Sequence, residues 1–179
     1  MLALFRTNQL FLSVLLIFYA AALHIAAFVF PENIAISNPG ILSQVVFDRI
    51  GTEGIWANIL TIILLFIQAV LLNILVTKNR LSREVNLFLF LFYILIASAF
   101  LEFLHLSPLY LANTFLIIVL IELMDTYKKP SAADRIFNAG FWTAVASLFY
   151  FSYLIFLILV FVALNVLRAF RIKERLMFL

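Results

Sequence analysis

The segment Ile136–Leu167 runs for 32 residues without one charged side chain. As a single helix rising 1.5 Å per residue it would be about 48 Å long, against about 30 Å for the hydrocarbon core of a bilayer. Basic residues bracket it, with Lys128, Lys129 and Arg135 before and Arg168, Arg171, Lys173 and Arg175 after. Lys and Arg collect on the cytoplasmic side of membrane spans, so two basic flanks require an even number of crossings. The pattern predicts two short, partly re-entrant helices, 136–149 and 154–167. The turn falls at Tyr150-Phe151-Ser152-Tyr153, where aromatic rings suit the opposite interface. Helices this short need protein neighbours over their ends.

Composition extends the argument to the whole chain. Of 179 residues, 66% are apolar and 12% charged, whereas a soluble domain carries roughly 45–50% and about 25%. Too few polar residues remain to cover a core, which excludes a soluble enzyme and a disordered chain. The absence of Cys excludes a disulfide scaffold. A net charge of +3 reads as span orientation and not as a nucleic-acid footprint.

Further apolar runs lie at 10–30, 55–76, 87–104 and 109–124. The first has a signal-peptide alternative, with Arg6 as a basic start and Ala20-Ala21-Ala22 as a cleavage pattern, but its apolar run continues beyond that point. Ser107 and Pro108 suit the cap and first turn of the fourth segment, which is short for a full crossing. The expected fold is all-α, a polytopic transmembrane bundle of about six membrane segments in one domain. Eleven of the twelve Lys and Arg residues fall on one side of this map, all but Arg49. Both termini are therefore expected in the cytoplasm, with the lipid bilayer as the first partner. Residues 39–50 read as an amphipathic interfacial helix on the outer side. Ile41, Leu42, Val45, Val46 and Ile50 form its apolar face, and Ser43, Gln44, Asp48 and Arg49 its polar one. Leu176-Met177-Phe178-Leu179 follows a basic cluster like the start of another span, so a longer protein is expected.

Candidate functional residues are sparse. Phosphate loops, HExxH, Cys clusters and GxSxG elbows are missing from the sequence, and it implies no cofactor and no assigned metal. In the second span Asn58, Thr61, Gln68 and Asn73 fall within an arc of about 140° at 100° per residue. This polar face reads as interhelical hydrogen bonding. At the outer side, Glu102 and His105 are three residues apart and share a helix face, where they could bind a metal or exchange a proton. The bland alternative is that both tips reach interfacial water. His24 reads as a hydrogen-bonded bundle histidine, and Glu122 as reaching the interface or pairing with the neighbouring basic loop. Phe88, Phe90, Phe92 and the run Phe149-Tyr150-Phe151 read as lipid-facing or packing residues.

The strings ANTFL, DTYKKPSAADRIFNAGFW and ASLFYF resemble an uncharacterised family of bacterial polytopic inner-membrane proteins, whose members are longer. The order of basic loops and hairpins from Lys78 to Arg168, with an outer amphipathic helix after the first span, is similar to the membrane core of GT-C glycosyltransferases. Those enzymes use polyprenyl-phosphate-linked sugars. That resemblance implies a catalytic carboxylate, acting as base or metal ligand, in the first outer loop, where Glu32 stands, with Arg49, Glu102 and His105 at a substrate or lipid-phosphate site. The paired-acid pattern and the large outer domain of GT-C enzymes are absent from this sequence, and architecture alone does not establish chemistry. The leading expectation is a non-catalytic subunit of a cell-envelope complex in the inner membrane, partnered by other membrane subunits or by a missing C-terminal part. A GT-C-like transferase comes second and a small-solute transporter third. A transporter would show repeated broken helices at mid-membrane, and no such repeat is visible.

Overall fold

The computed structural model describes residues 15, 18–25, 39–51, 54–81, 88–127, 129 and 132–167. Every named element in them is helical. After a helical stretch at residues 18–23 come α1 (Ile41–Ile50), α2 (Ile55–Lys78), α3 (Phe88–Ser98), α4 (Leu101–Leu104), α5 (Pro108–Met124) and α6 (Ala133–Phe149). A 3-10 turn (Phe151–Ile155) then leads into α7 (Phe156–Leu167).

Among the described residues one helix, α2, is long and apolar enough to cross a membrane, and only 28% of its most apolar window is buried. The other apolar helices, Leu89–Ser98, Pro108–Met124 and Phe151–Leu167, are shorter. The expected third segment, 87–104, is not one helix. Ala99 N–H donates to Ile96 and Phe100 N–H to Ala97, and these tightened bonds close α3 as 3-10 geometry does at helix ends. Phe100 then takes an extended backbone, φ −100° and ψ 126°, which starts the single turn of α4. The re-aimed chain brings Leu106 into contact with Ala57 and Leu111.

The tightest pair is α5 on α6, an antiparallel hairpin. Ser107 caps α5 by accepting from the Tyr110 N–H at 3.2 Å, with Pro108 in the first turn. The inward stripe of α6 is Ile136, Ala139, Gly140, Thr143 and Ala146. Its small residues allow the backbones to approach, as at helix interfaces in lipid. Ala112 packs with Ala146, and Val119 and Leu123 pack with Ile136 and Ala139. Phe115 stacks on Trp142 and Phe149, at 5.7 and 5.1 Å between centroids.

The long uncharged run does fold back. Helix α6 ends at Phe149, and the 3-10 turn occupies the Tyr150–Tyr153 region. Val160 and Leu164 of α7 then return to the cluster around Ile136 and Ala139. Tyr153 packs edge-on to Tyr150 and Phe156 in this corner. On the other flank of α5, Leu65 and Ala69 of α2, Phe90, Ile94 and Ala97 of α3, Tyr110 and Ala20 form a second core.

Helix α1 covers most of the helix expected at 39–50, but one residue of its polar face turns inward. Ser43, assigned to the polar outer face, is fully buried. Its hydroxyl donates to Phe149 O at 2.8 Å and to Gly40 O at 2.7 Å. Helix α6 ends at Phe149, so that carbonyl has no partner further along the helix and takes one from α1. Ile41 and Val45 face outward instead. Gly40 donates its N–H to the same carbonyl at 2.9 Å. A Cβ on Gly40 would lie 2.0 Å from Leu148 O, so only glycine permits this approach.

Candidate functional site

Two polar clusters lie inside the described bundle. The first is at mid-length of α2. Gln68 is fully buried and makes four hydrogen bonds. Its Nε2 donates to Tyr110 O at 2.9 Å and to Thr114 Oγ1 at 2.7 Å, and its Oε1 accepts from the Tyr93 hydroxyl and from Asn113 Nδ2 at 3.3 Å. Asn113 Nδ2 also donates to the Tyr93 hydroxyl oxygen at 3.0 Å. The cap at Ser107 sets the phase of α5, so that Tyr110, Asn113 and Thr114, at i, i+3 and i+4, reach one neighbour. Two donors and two acceptor positions exhaust a primary amide. Gln68 therefore joins α2, α3 and α5 and keeps no hydrogen-bonding group for a substrate.

The second cluster joins helix ends. Lys78 Nζ lies 2.6 Å from Asp125 Oδ2, and Arg135 Nη1 lies 2.9 Å from Glu122 Oε2 and 3.7 Å from Asp125 Oδ2. The carboxylates are the covered partners, with Asp125 only 4% exposed at its side chain, while Lys78 and Arg135 are about half exposed. The hydrogen bond from Arg135 to Glu122, and then the Glu122 charge, hold the guanidinium above its ordinary value. This array ties α2 and α5 to α6.

The other residues singled out from the sequence are scattered. Asn58 and Thr61 are buried on the inward face of α2, and Asn73 is half-buried. Thr61 donates to Ala57 O of its own helix at 2.9 Å. Glu32 lies outside the described residues, as does the side chain of Glu102 in α4. Arg49 is exposed on α1, and His105 ends α4 half-buried. Among the described residues no hydrogen bond or ion pair joins Arg49 to His105. Nor do three or more His, Asp or Glu side chains there group as a metal site.

Compared with family models, curated proteins and solved structures, the chain matches none. The site therefore stands on its own geometry. Sequence reasoning singled out Gln68 but not its partners Tyr93, Asn113 and Thr114. A usable signal was present. Asn113-Thr114 interrupts an apolar run, and Tyr93 is the one hydroxyl-bearing ring in the aromatic stretch from Phe88 to Tyr93.

Proposed function

We propose that this chain is a multi-pass protein of the bacterial inner membrane, with both termini cytoplasmic, acting as a non-catalytic subunit of a cell-envelope complex. The observation that carries the reading is the outward surface of the helices. Trp56 is 75% exposed and Val166 81%, and Ile59, Ile63, Ile67 and Ile74 line the open side of α2. On α7, Ile158, Leu159, Phe161 and Val162 also face outward. Covering such side chains is worth about 1.5–3 kcal/mol each, a gain that the described chain by itself leaves unrealised. Lipid or neighbouring subunits supply that cover. The charged residues support the same reading, because those described sit at helix ends and in the connections between helices. The buried polar groups around Gln68 satisfy one another, as structural contacts between helices do.

The test is purification in a mild detergent followed by native mass measurement and substituted-cysteine labelling in intact cells. A stoichiometric assembly with partner chains is the expected result, with a cysteine at Ser152 labelled from outside and one at Pro130 from inside. Release from membranes by alkaline carbonate would overturn the membrane placement. A lone monomer that turns over a polyprenyl-phosphate-linked sugar would overturn the subunit role in favour of the transferase reading.

A further inference from the structure

The ion pairs that join α2, α5 and α6 are layered. The side chains of Asp125 and Glu122 are covered, at 4% and 12% exposure, while Lys78 and Arg135 are the open members at 51% and 41%. Both cations meet at one atom, because Asp125 Oδ2 lies 2.6 Å from Lys78 Nζ and 3.7 Å from Arg135 Nη1. The two nitrogens therefore cannot be further apart than those distances laid end to end. An ammonium carries three N–H groups and a guanidinium five. Among the described residues Lys78 donates to Asp125 alone, and Arg135 to Glu122 alone through Nη1. The Nε and Nη2 groups of Arg135 and the rest of the Lys78 ammonium remain able to donate, on side chains about half open to their surroundings.

Helix ends do not consume these donors. The last carbonyls of α2 are closed by its own chain. Leu81 N–H donates to Val76 O at 3.0 Å, Arg80 N–H to Thr77 O at 3.2 Å and Asn79 Nδ2 to Leu75 O at 2.8 Å. Such a closure ordinarily places glycine where the chain turns left-handed, yet Arg80 stands there, exposed and with φ 52°. The chain thus carries a third cation two residues beyond Lys78, at a position that disfavours any side chain. At the start of α6, Ala132 occupies the N-cap and makes no side-chain hydrogen bond. Arg135 is the third residue of that helix, so it stands at the positive end of the helix dipole, beside N–H groups without a side-chain cap.

We propose that Lys78 and Arg135 form a clamp for a phosphate group, with Arg80 at its rim. The covered carboxylates hold the two cations at a spacing that the oxygens of one phosphate can bridge, each accepting a charge-assisted bond of roughly 2.7–2.9 Å. The planar fork of Arg135 suits two such oxygens, and Lys78 adds a point charge. The uncapped start of α6 favours an anion at the same place. Asp134, exposed in the first turn of α6, is the one described carboxylate that opposes it from the open side. The ligand is a phosphate ester or ion, carried by an anionic phospholipid headgroup or free in solution. Lys78 is the last residue of the helix long enough to cross a membrane, which sets headgroup phosphates at the level of the clamp. The lipid source rests on the membrane placement proposed above, whereas the clamp itself does not.

The experiment titrates the full chain in a mild detergent with phosphatidylglycerol and, separately, with phosphatidylcholine, and reads retained lipid by native mass measurement. The expected result is one phosphatidylglycerol per chain, held about tenfold more tightly than phosphatidylcholine, the effect of one hydrogen bond from a charged donor. The paired exchange of Lys78→Gln with Asp125→Asn keeps the net charge and leaves no carboxylate unpaired at that position, and it should remove the preference. Arg80→Gly relieves the left-handed strain, so it should melt no lower than the parent while its preference falls. Asp134→Asn should raise the preference. In a second arm, thermal unfolding in sodium phosphate is compared with sodium chloride at equal ionic strength. A preference for phosphatidylglycerol assigns the clamp to lipid. A phosphate-specific rise in melting temperature that the paired exchange loses, without a lipid preference, assigns it to soluble phosphate and leaves the membrane placement to the carbonate test. Lipid preference and phosphate response that are both missing from the parent, or both unchanged by the paired exchange and by Arg80→Gly, would overturn the proposal.

Discussion

At one end of the bundle, Lys78, Asp125, Arg135 and Glu122 join three helices through charge. At the other, Gly40 and Ser43 hold α1 to α6 through a single backbone carbonyl, that of Phe149. The charged end rests on long side chains that can shift to keep contact, and its cations are half open to solvent. The carbonyl end rests on backbone approach and has no slack. The first should respond to ionic strength and tolerate conservative change. The second should ignore salt and fail on the addition of one methyl group.

The sharpest way to break the carbonyl end is Gly40→Ala. A Cβ placed 2.0 Å from Leu148 O and 2.7 Å from Phe149 C meets backbone, which cannot rotate away. Overpacking of this kind costs about 1–3 kcal/mol, and the upper end is expected because two hydrogen bonds to Phe149 O depend on the same approach. Hydrogen exchange should show α1 amides losing protection while α5 and α6 keep theirs. Unchanged protection in α1 would show that the docking does not depend on this approach.

The charged end gives the next effect. Asp125→Asn keeps the shape and removes the charge that faces both Lys78 and Arg135. Removing one partner of a well-buried pair costs about 3–5 kcal/mol, whereas exposed pairs are worth about 0–1. Asp125 is covered and its cations are not, so a loss of about 2 kcal/mol in detergent-solubilised stability is expected. The parent chain should lose part of that difference as salt is raised toward 1 M, because the exposed cations are screened. A parent chain whose melting temperature ignores salt would remove the contrast between the ends.

Ser43→Ala tests the carbonyl end more gently. It deletes the donation to Phe149 O at 2.8 Å but leaves the Gly40 N–H on the same oxygen, so that acceptor is not orphaned. One neutral hydrogen bond is worth about 1 kcal/mol net. Thermal unfolding should register that loss at low and high salt alike.

The two ends also differ in how far the sequence discloses them. Glu122 lies in an apolar helix just before a basic loop, so charge alone suggests a partner in that loop or the interface, and the structure supplies Arg135 as that partner. The fold-back of 136–167 is equally open to reading, because its length and its two basic flanks leave few alternatives. Ser43 is different. Its side chain looks polar on a helical wheel, and nothing local reveals that the free carbonyl of Phe149, 106 residues away, will turn it inward. The break at Ala99–Phe100 is hidden for a related reason. It carries neither Gly nor Pro, and the core contacts of Leu106, with Ala57 and Leu111, come from distant segments. Local pattern discloses charge and length, while partners fixed by tertiary approach stay out of sight.

The smallest expected effect lies between the ends, at Gln68. Replacing it with Leu preserves approximate volume and removes bonds to Tyr110 O, Thr114, Tyr93 and Asn113 together. Four lost contacts would suggest a large penalty, but in the membrane setting proposed above polar contacts between helices average about 0.6 kcal/mol each, because the separated helices also find partners. Tyr93 and Asn113 retain their mutual bond at 3.0 Å, which limits the loss further. Gln68→Leu is therefore expected to cost about 1 kcal/mol, less than Asp125→Asn despite its greater number of bonds. A double-mutant cycle with Asn113→Leu isolates the shared part. If Gln68 acts as glue, coupling should stay near the single-contact value and the paired variant should unfold little below Gln68→Leu alone. Coupling as large as the Asp125 effect would mean that the middle of the bundle, and not its charged end, holds α2 to α5.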